Sequence, residues 1–203
     1  MMKIALIGAT GMIGSRVLAE LSRRGHDVTA IVRRPEKVPA LARVTPRKGD
    51  VFDEKGLAEL LKGHDAAISA VHFLDSDAKK LIAAVKASGV PRYLVVGGAG
   101  SLEVAPGKKL HDTPDFPPQY KAEAKAGGDF LDLLREEKRL DWTYLSPSAV
   151  IAPGERTGKF RLGGDQLLTH NKGSNISAED YAIALVDEVE KPAHSRRRFT
   201  VGY

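Results

Sequence analysis

The chain contains no cysteine. That absence excludes disulfides, thiolate-held metals and a cysteine nucleophile together. No stretch approaches the ~18 consecutive apolar residues of a membrane span, and no internal repeat or low-complexity tract is present. His26, His64, His170 and His194 are dispersed, with no i,i+4 pair and no carboxylate constellation, so no metal site is expected. Charge of one sign is only slightly in excess, with 31 Lys+Arg against 26 Asp+Glu. The surplus sits in short groups, Arg23-Arg24, Arg33-Arg34, Lys79-Lys80 and Arg196-Arg197-Arg198. Nucleic-acid binding calls for a contiguous basic stripe or a recognition motif, and neither is visible. An anionic small molecule suits this distribution better than nucleic acid or a membrane. The opening Met1-Met2-Lys3-Ile4 runs straight into a strand-like pattern, unlike a signal peptide, and the expected location is cytoplasmic.

What remains is the composition of a globular protein. At 42% hydrophobic and 28% charged residues, 203 residues fit one domain spanning 1–203. A chain of this length buries roughly 70% of its unfolded surface.

Strands and helices alternate at short intervals. Lys3–Ile7 is an apolar run ending at Gly8, followed by Ile13, Val17, Leu18 and Leu21 at helical spacing up to Gly25. Val28–Val32 reads as a buried strand and Val44–Lys48 as a weaker one near an edge. Asp53 can cap a short helix closed by Gly63; Ala66–Val71 is a fourth strand, and Asp75–Ser88 a helix stopped by Gly89 and Pro91. Tyr93–Val96 leads into Gly97-Gly98-Ala99-Gly100, and residues 101–119, with four prolines, read as a long loop. Tyr120–Arg139 is helical and Trp142–Leu145 a sixth strand. Residues 147–176 lose the alternation and form a small substrate-side lobe, with strand candidates at Lys159–Leu162 and Gln166–Thr169. Ser177 caps a last helix, Asp180 completing what looks like a capping box, and Arg198–Val201 is the final strand. The pattern predicts an α/β protein: a doubly wound parallel-sheet Rossmann fold with a small C-terminal lobe.

Gly8-Ala9-Thr10-Gly11-Met12-Ile13-Gly14 carries the functional signal. A strand that turns abruptly into a helix presents helical N–H groups to a pyrophosphate, provided that the backbone can approach it. Gly8 permits the turn, Gly11 admits the phosphate, Gly14 lets the helix lie on the strand, and Thr10 adds a hydroxyl. A glycine-rich turn without a ligand is the bland alternative. Its position at the start of a βαβ series favours a nucleotide.

The spacing GxxGxxG resembles that of the extended and atypical short-chain dehydrogenase/reductases. The likeness is greatest to the NAD(P)H-binding group of NADH-flavin reductases, akin to biliverdin reductase B and NmrA-like proteins. It extends over nearly the whole chain through Gly8–Gly14, Gly49-Asp50-Val51-Phe52-Asp53, Val95–Ser101, Leu145-Ser146-Pro147, Pro153-Gly154 and Ile176–Tyr181. The resemblance implies that Asp50 and Val51 meet an adenine, although Asp50 also suits a turn or cap. Arg33-Arg34 follow Val32, where an NAD-preferring site places an acid. A guanidinium grips a 2′-phosphate, so NADPH is expected over NADH. Ser69, Ala70 and Val71 are small enough for a ribose to lie across the strand ends. Gly97, Gly98 and Ala99 can flank the nicotinamide, and Pro147, Ser148 and Ala149 can close over its carboxamide. Each of these can equally be packing.

The Tyr-x-x-x-Lys relay of ordinary short-chain enzymes is missing. Position +4 is Gly97 after Tyr93, Ala124 after Tyr120, Ser148 after Tyr144 and Leu185 after Tyr181, and Tyr203 ends the chain. Hydride transfer to a flavin, quinone or another planar acceptor needs less proton assistance, since such rings delocalise the incoming charge. The expected function is therefore an NADPH-dependent reductase of a planar acceptor, with FMN or another flavin as substrate, acting as a monomer or weak homodimer. Ser101, His111 and Tyr120 are the candidate catalytic residues; Asp112 is an alternative donor, and His72 and Phe73 can border the pocket. An NmrA-like redox-sensing regulator and a nucleotide-sugar epimerase or dehydratase are the competing functions.

Overall fold

Along β1 (Lys3–Ile7), Ile4 and Leu6 enter one apolar cluster and Ala5 and Ile7 another. A strand buried on both faces belongs to a parallel sheet covered by helices on each side. A computed structural model describes residues 1–203 and bears out that architecture. After β1 come α1 (Met12–Arg23), β2 (Asp27–Val32), β3 (Val44–Lys48), α2 (Glu54–Leu61), β4 (Ala66–Ser69), α3 (Ala78–Ser88) and β5 (Arg92–Val96). A hairpin of β6 (Glu103–Ala105) and β7 (Lys108–Lys109) precedes α4 (Lys121–Glu136) and β8 (Asp141–Ser146). The chain closes with β9 (Val150–Ala152), β10 (Arg161–Gly163), β11 (Asn175–Ser177), α5 (Ala178–Glu190) and β12 (Arg197–Gly202).

The main sheet runs β10-β12-β8-β5-β4-β1-β2-β3, parallel throughout except for the antiparallel edge strand β10. Helices α1 and α5 pack on one face and α2, α3 and α4 on the other. Strand order reverses between β1 and β4, where Ile7 is level with Ser69. Ligands of open α/β sheets bind outside the strands' carboxyl ends at such a reversal. Edge strand β3 tolerates Pro46, which cannot donate to a ladder. No helix is long and apolar enough to cross a membrane.

Several boundaries differ from the sequence expectation, each for a local reason. Strand β4 stops at Ser69, and α3 begins at Ala78 because the Asp77 carboxylate accepts from Lys80 N; residues 70–76 between them are loop. Helix α4 ends at Glu136, since Glu137 is extended and its carboxylate is held by Lys86 and the Arg139 amide. The 101–119 segment is no featureless loop: it contains the β6–β7 hairpin, and backbone bonds tie Leu110 to Leu102 and His111 to Gly100. Strand β10 covers Arg161–Gly163, while of Gln166–Thr169 only Gln166 makes a bridge, to Glu103. Strands β9 and β11, three residues each, lie in the stretch where periodicity fails. The 147–176 segment is partly absorbed into the main sheet through β10. Ser177 does cap α5, but Asp180 does not turn back to close a box. Its carboxylate accepts from the Thr157 and Gly158 amides and the Tyr203 hydroxyl instead, pinning the 153–160 strap to the helix.

Candidate functional site

The β1–α1 turn is shaped by contact. Gly8 has φ +84, and a Cβ there would strike the Ala70 backbone; a Cβ on Gly14 would strike the Gly8 carbonyl. Gly11 differs. It is the N-cap of α1 with φ −72, and its nearest protein neighbour to a built Cβ, Gly8 O, is 3.6 Å away. The protein itself therefore does not need glycine at 11; what gains from it is whatever lies outside. No side chain caps α1 and no acid stands in its first turn. Its first N–H groups are left without partners at the positive end of the helix dipole.

These groups border a cavity of ≈ 420 Å³ over the strand reversal. Gly8, Thr10, Gly11, Met12 and Ile13, which follow the central β1, line it. Arg33, Asp50 and Val51 follow β2 and β3 to one side, and Ala70, Val71 and Gly97 follow β4 and β5 to the other. A site with N–H donors at the central strand and a cation to one side fits a dinucleotide.

Other expected residues stand behind or beside the cavity. Gly14 supports the turn from inside. Ser69 is buried, its hydroxyl 2.9 Å from that of Tyr93. Gly98 donates its amide to the Tyr144 hydroxyl, and Ala99 accepts from Leu102. Pro147 and Ser148 are buried, Ser148 bonding to Val201 O, while exposed Ala149 donates to Ser174. Arg34 is exposed beside the cavity at the head of a short 3-10 turn.

Neither Arg33 nor Arg34 pairs with a carboxylate, although most other arginines do. Both guanidiniums remain available to an anion. Asp50 accepts from Phe52 N at 2.9 Å, so its turn role is real; it still lines the cavity. The sequence reading passed over Phe52 as a cavity residue. That ring is 49% exposed, with Lys80 Nζ 5.9 Å above it, and an exposed aromatic in the Gly49–Asp53 segment was the available signal. Glu123, also lining the cavity, carried no signal at all.

His72 and Phe73 line the cavity, whereas Ser101, His111 and Tyr120 do not. Ser101 is buried and accepts from the Arg198 guanidinium at 2.9 Å, so its hydroxyl serves that network rather than facing an acceptor. His111 is largely covered, with Nδ1 unbonded and Nε2 3.6 Å from Asp112. Tyr120 is exposed on the approach to α4. Burial pushes the Tyr93, Tyr144 and Tyr181 phenols well above their ordinary range, so none is activated for proton transfer.

A family model described as NAD(P)H-binding matches residues 8–192. The uncharacterized Bacillus subtilis protein YwnB is 43% identical, covering 98% of this chain and 98% of its own. A Bacteroides thetaiotaomicron structure provisionally named an epimerase is 45% identical with a TM-score of 0.95, covering 100% of this chain and 97% of that one. A Streptococcus pneumoniae structure provisionally named an NADH-flavin reductase is 40% identical with a TM-score of 0.86, covering 100% and 99%.

Proposed function

The chain belongs to the NAD(P)H-binding family of Rossmann-fold oxidoreductases, and on that premise we propose that it is an NADPH-dependent reductase of a flavin, quinone or similar planar acceptor. The observation that carries the nucleotide part is the uncapped α1 N-terminus, with Gly11 open to the cavity beside unpaired Arg33. A nicotinamide dinucleotide held there would supply the hydride. The chain's residues bind and orient: the α1 amides and Thr10 receive the diphosphate, and Arg33, with Arg34 beside it, the 2′-phosphate. Asp50, Val51 and Phe52 flank the adenine, while Val71 and Gly97 form the floor at the opposite end. No tyrosine lines the cavity, and solvent supplies the proton that a reduced planar ring requires. We place the protein in the cytoplasm as a monomer or weak homodimer.

The test is NADPH oxidation with riboflavin, FMN and a quinone, comparing the wild type with Gly11→Asp. Acceptor-dependent turnover that Gly11→Asp abolishes supports the reading, and equal rates reject it. Tight NADP⁺ binding without turnover on any acceptor would instead favour a redox-sensing regulator, which the lack of a tyrosine–lysine relay also suits.

A further inference from the structure

Glu123 stands in the first turn of α4, yet its carboxylate is committed to a loop some fifty residues earlier. Oε1 accepts from Phe73 N at 2.7 Å and Oε2 from Leu74 N at 2.9 Å, with His72 Nδ1 a longer 3.3 Å from Oε1. Two adjacent amides on one carboxylate fix a loop end as a bidentate clamp, and bonds to a charged acceptor are stronger than neutral ones. The clamped segment carries Phe73. Its ring stacks on Tyr144 at 6.3 Å with planes 15° apart and tilts against Phe130 at 5.8 Å.

Helix α4 is shaped for that ring one turn further on. A Cβ on Gly127 would lie 2.7 Å from Phe73 Cε2 and 3.0 Å from Cδ2, so a side chain there would displace it. The Gly127 carbonyl accepts from the Tyr144 hydroxyl, which itself accepts from Gly98 N. The same helix thus holds both borders of one end of the cavity, Phe73 through Glu123 and the Gly97–Gly98 floor through Tyr144. Phe73, Gly97 and Glu123 all line that end.

We infer that Glu123 is a positioning residue for the acceptor: by clamping the Phe73 and Leu74 amides to α4 it keeps the Phe73 ring seated on Tyr144, as the wall against which a planar acceptor packs. The inference rests on the proposed reductase function. Arg33 and the α1 amides, which hold the dinucleotide's phosphates, do not touch the clamp, so releasing it weakens the acceptor more than the dinucleotide. Glu123→Gln keeps one acceptor oxygen, Glu123→Ala removes both, and Gly127→Ala disturbs the ring from the opposite side.

Steady-state kinetics with riboflavin and menadione, together with NADP⁺ titration calorimetry, test it. Glu123→Ala and Gly127→Ala are each expected to raise the acceptor KM by about fivefold or more, with the NADP⁺ Kd held within about twofold and Glu123→Gln in between. Unchanged acceptor KM in both alanine variants overturns the inference, as does an equal loss of dinucleotide and acceptor affinity. If Glu123→Ala does not fold, Gly127→Ala and Glu123→Gln decide by the same split. A wild-type protein that binds NADP⁺ but turns over no acceptor rejects the reductase reading itself, and the clamp's assigned role with it.

Discussion

Gly14 and Gly8 are in such close approach that any side chain on Gly14 would run into the Gly8 carbonyl oxygen. The contact seats α1 on the turn leaving β1, so the turn's shape and the helix's position are one feature.

Gly14→Ala and Gly11→Asp should therefore fail in different ways. The first overpacks a buried contact and is expected to cost about 1–3 kcal/mol of stability. The second brings a Cβ no closer than ordinary van der Waals contact, 3.6 Å from Gly8 O, so the melting temperature should barely move. Its carboxylate at the mouth of the helix should repel a diphosphate, raising the NADP⁺ Kd by about tenfold or more. Thermal denaturation and calorimetry on both variants check the separation.

Arg33 lines the cavity and Arg34 does not. Replacing Arg33 by Ala should weaken NADPH by ~1.5–3 kcal/mol, the range for a lost charge-assisted bond. NADH should be little affected and Arg34→Ala milder. Equal losses for the two dinucleotides would remove the basis for NADPH preference.

Acid should loosen the tie between the 153–160 strap and α1, where Arg156 donates to Glu20. Burial alone would raise the Glu20 carboxyl, but hydrogen bonds from Arg156 and Arg24 outweigh it and hold the pKa at about 2. A folded pKa below the unfolded value gives stability that is fully present above about pH 4.5 and lost as pH falls toward 2. The contribution is about 2–3 kcal/mol. Glu20→Gln should flatten the fall in melting temperature over that window.

At the amino-terminal ends of β5 and β8, buried Arg92 donates to Glu188, Asp141 and Thr143, and Glu188 also accepts from the Ala193 and His194 amides. Glu188→Ala removes the guanidinium's buried carboxylate partner, leaving Asp141 and Thr143, and should cost about 3 kcal/mol in chemical denaturation. Dinucleotide affinity measured on the folded fraction should not change.

Much of this molecule was legible along the chain. A continuous apolar run marked β1 and a β-branched one marked β2, helical spacing marked α1 and α3, and Gly8, Gly11 and Gly14 marked the turn, because each signal lies within a few neighbouring residues. Cavity residues such as Thr10, Arg33, Asp50 and Val71 were visible because they sit at strand ends that those signals locate. Periodicity failed in 147–176, where strands of three residues are too short to show one.

The sequence by itself determined the doubly wound sheet and the glycine turn that opens onto the cavity. Only the tertiary structure decided that Ser101 answers to Arg198, 97 residues away, and that Glu123 holds the Phe73 amide across 50 residues. The physical reason is range. Hydrophobic period and turn chemistry act between near neighbours, while a hydrogen bond between distant segments exists only once the sheet has brought them together.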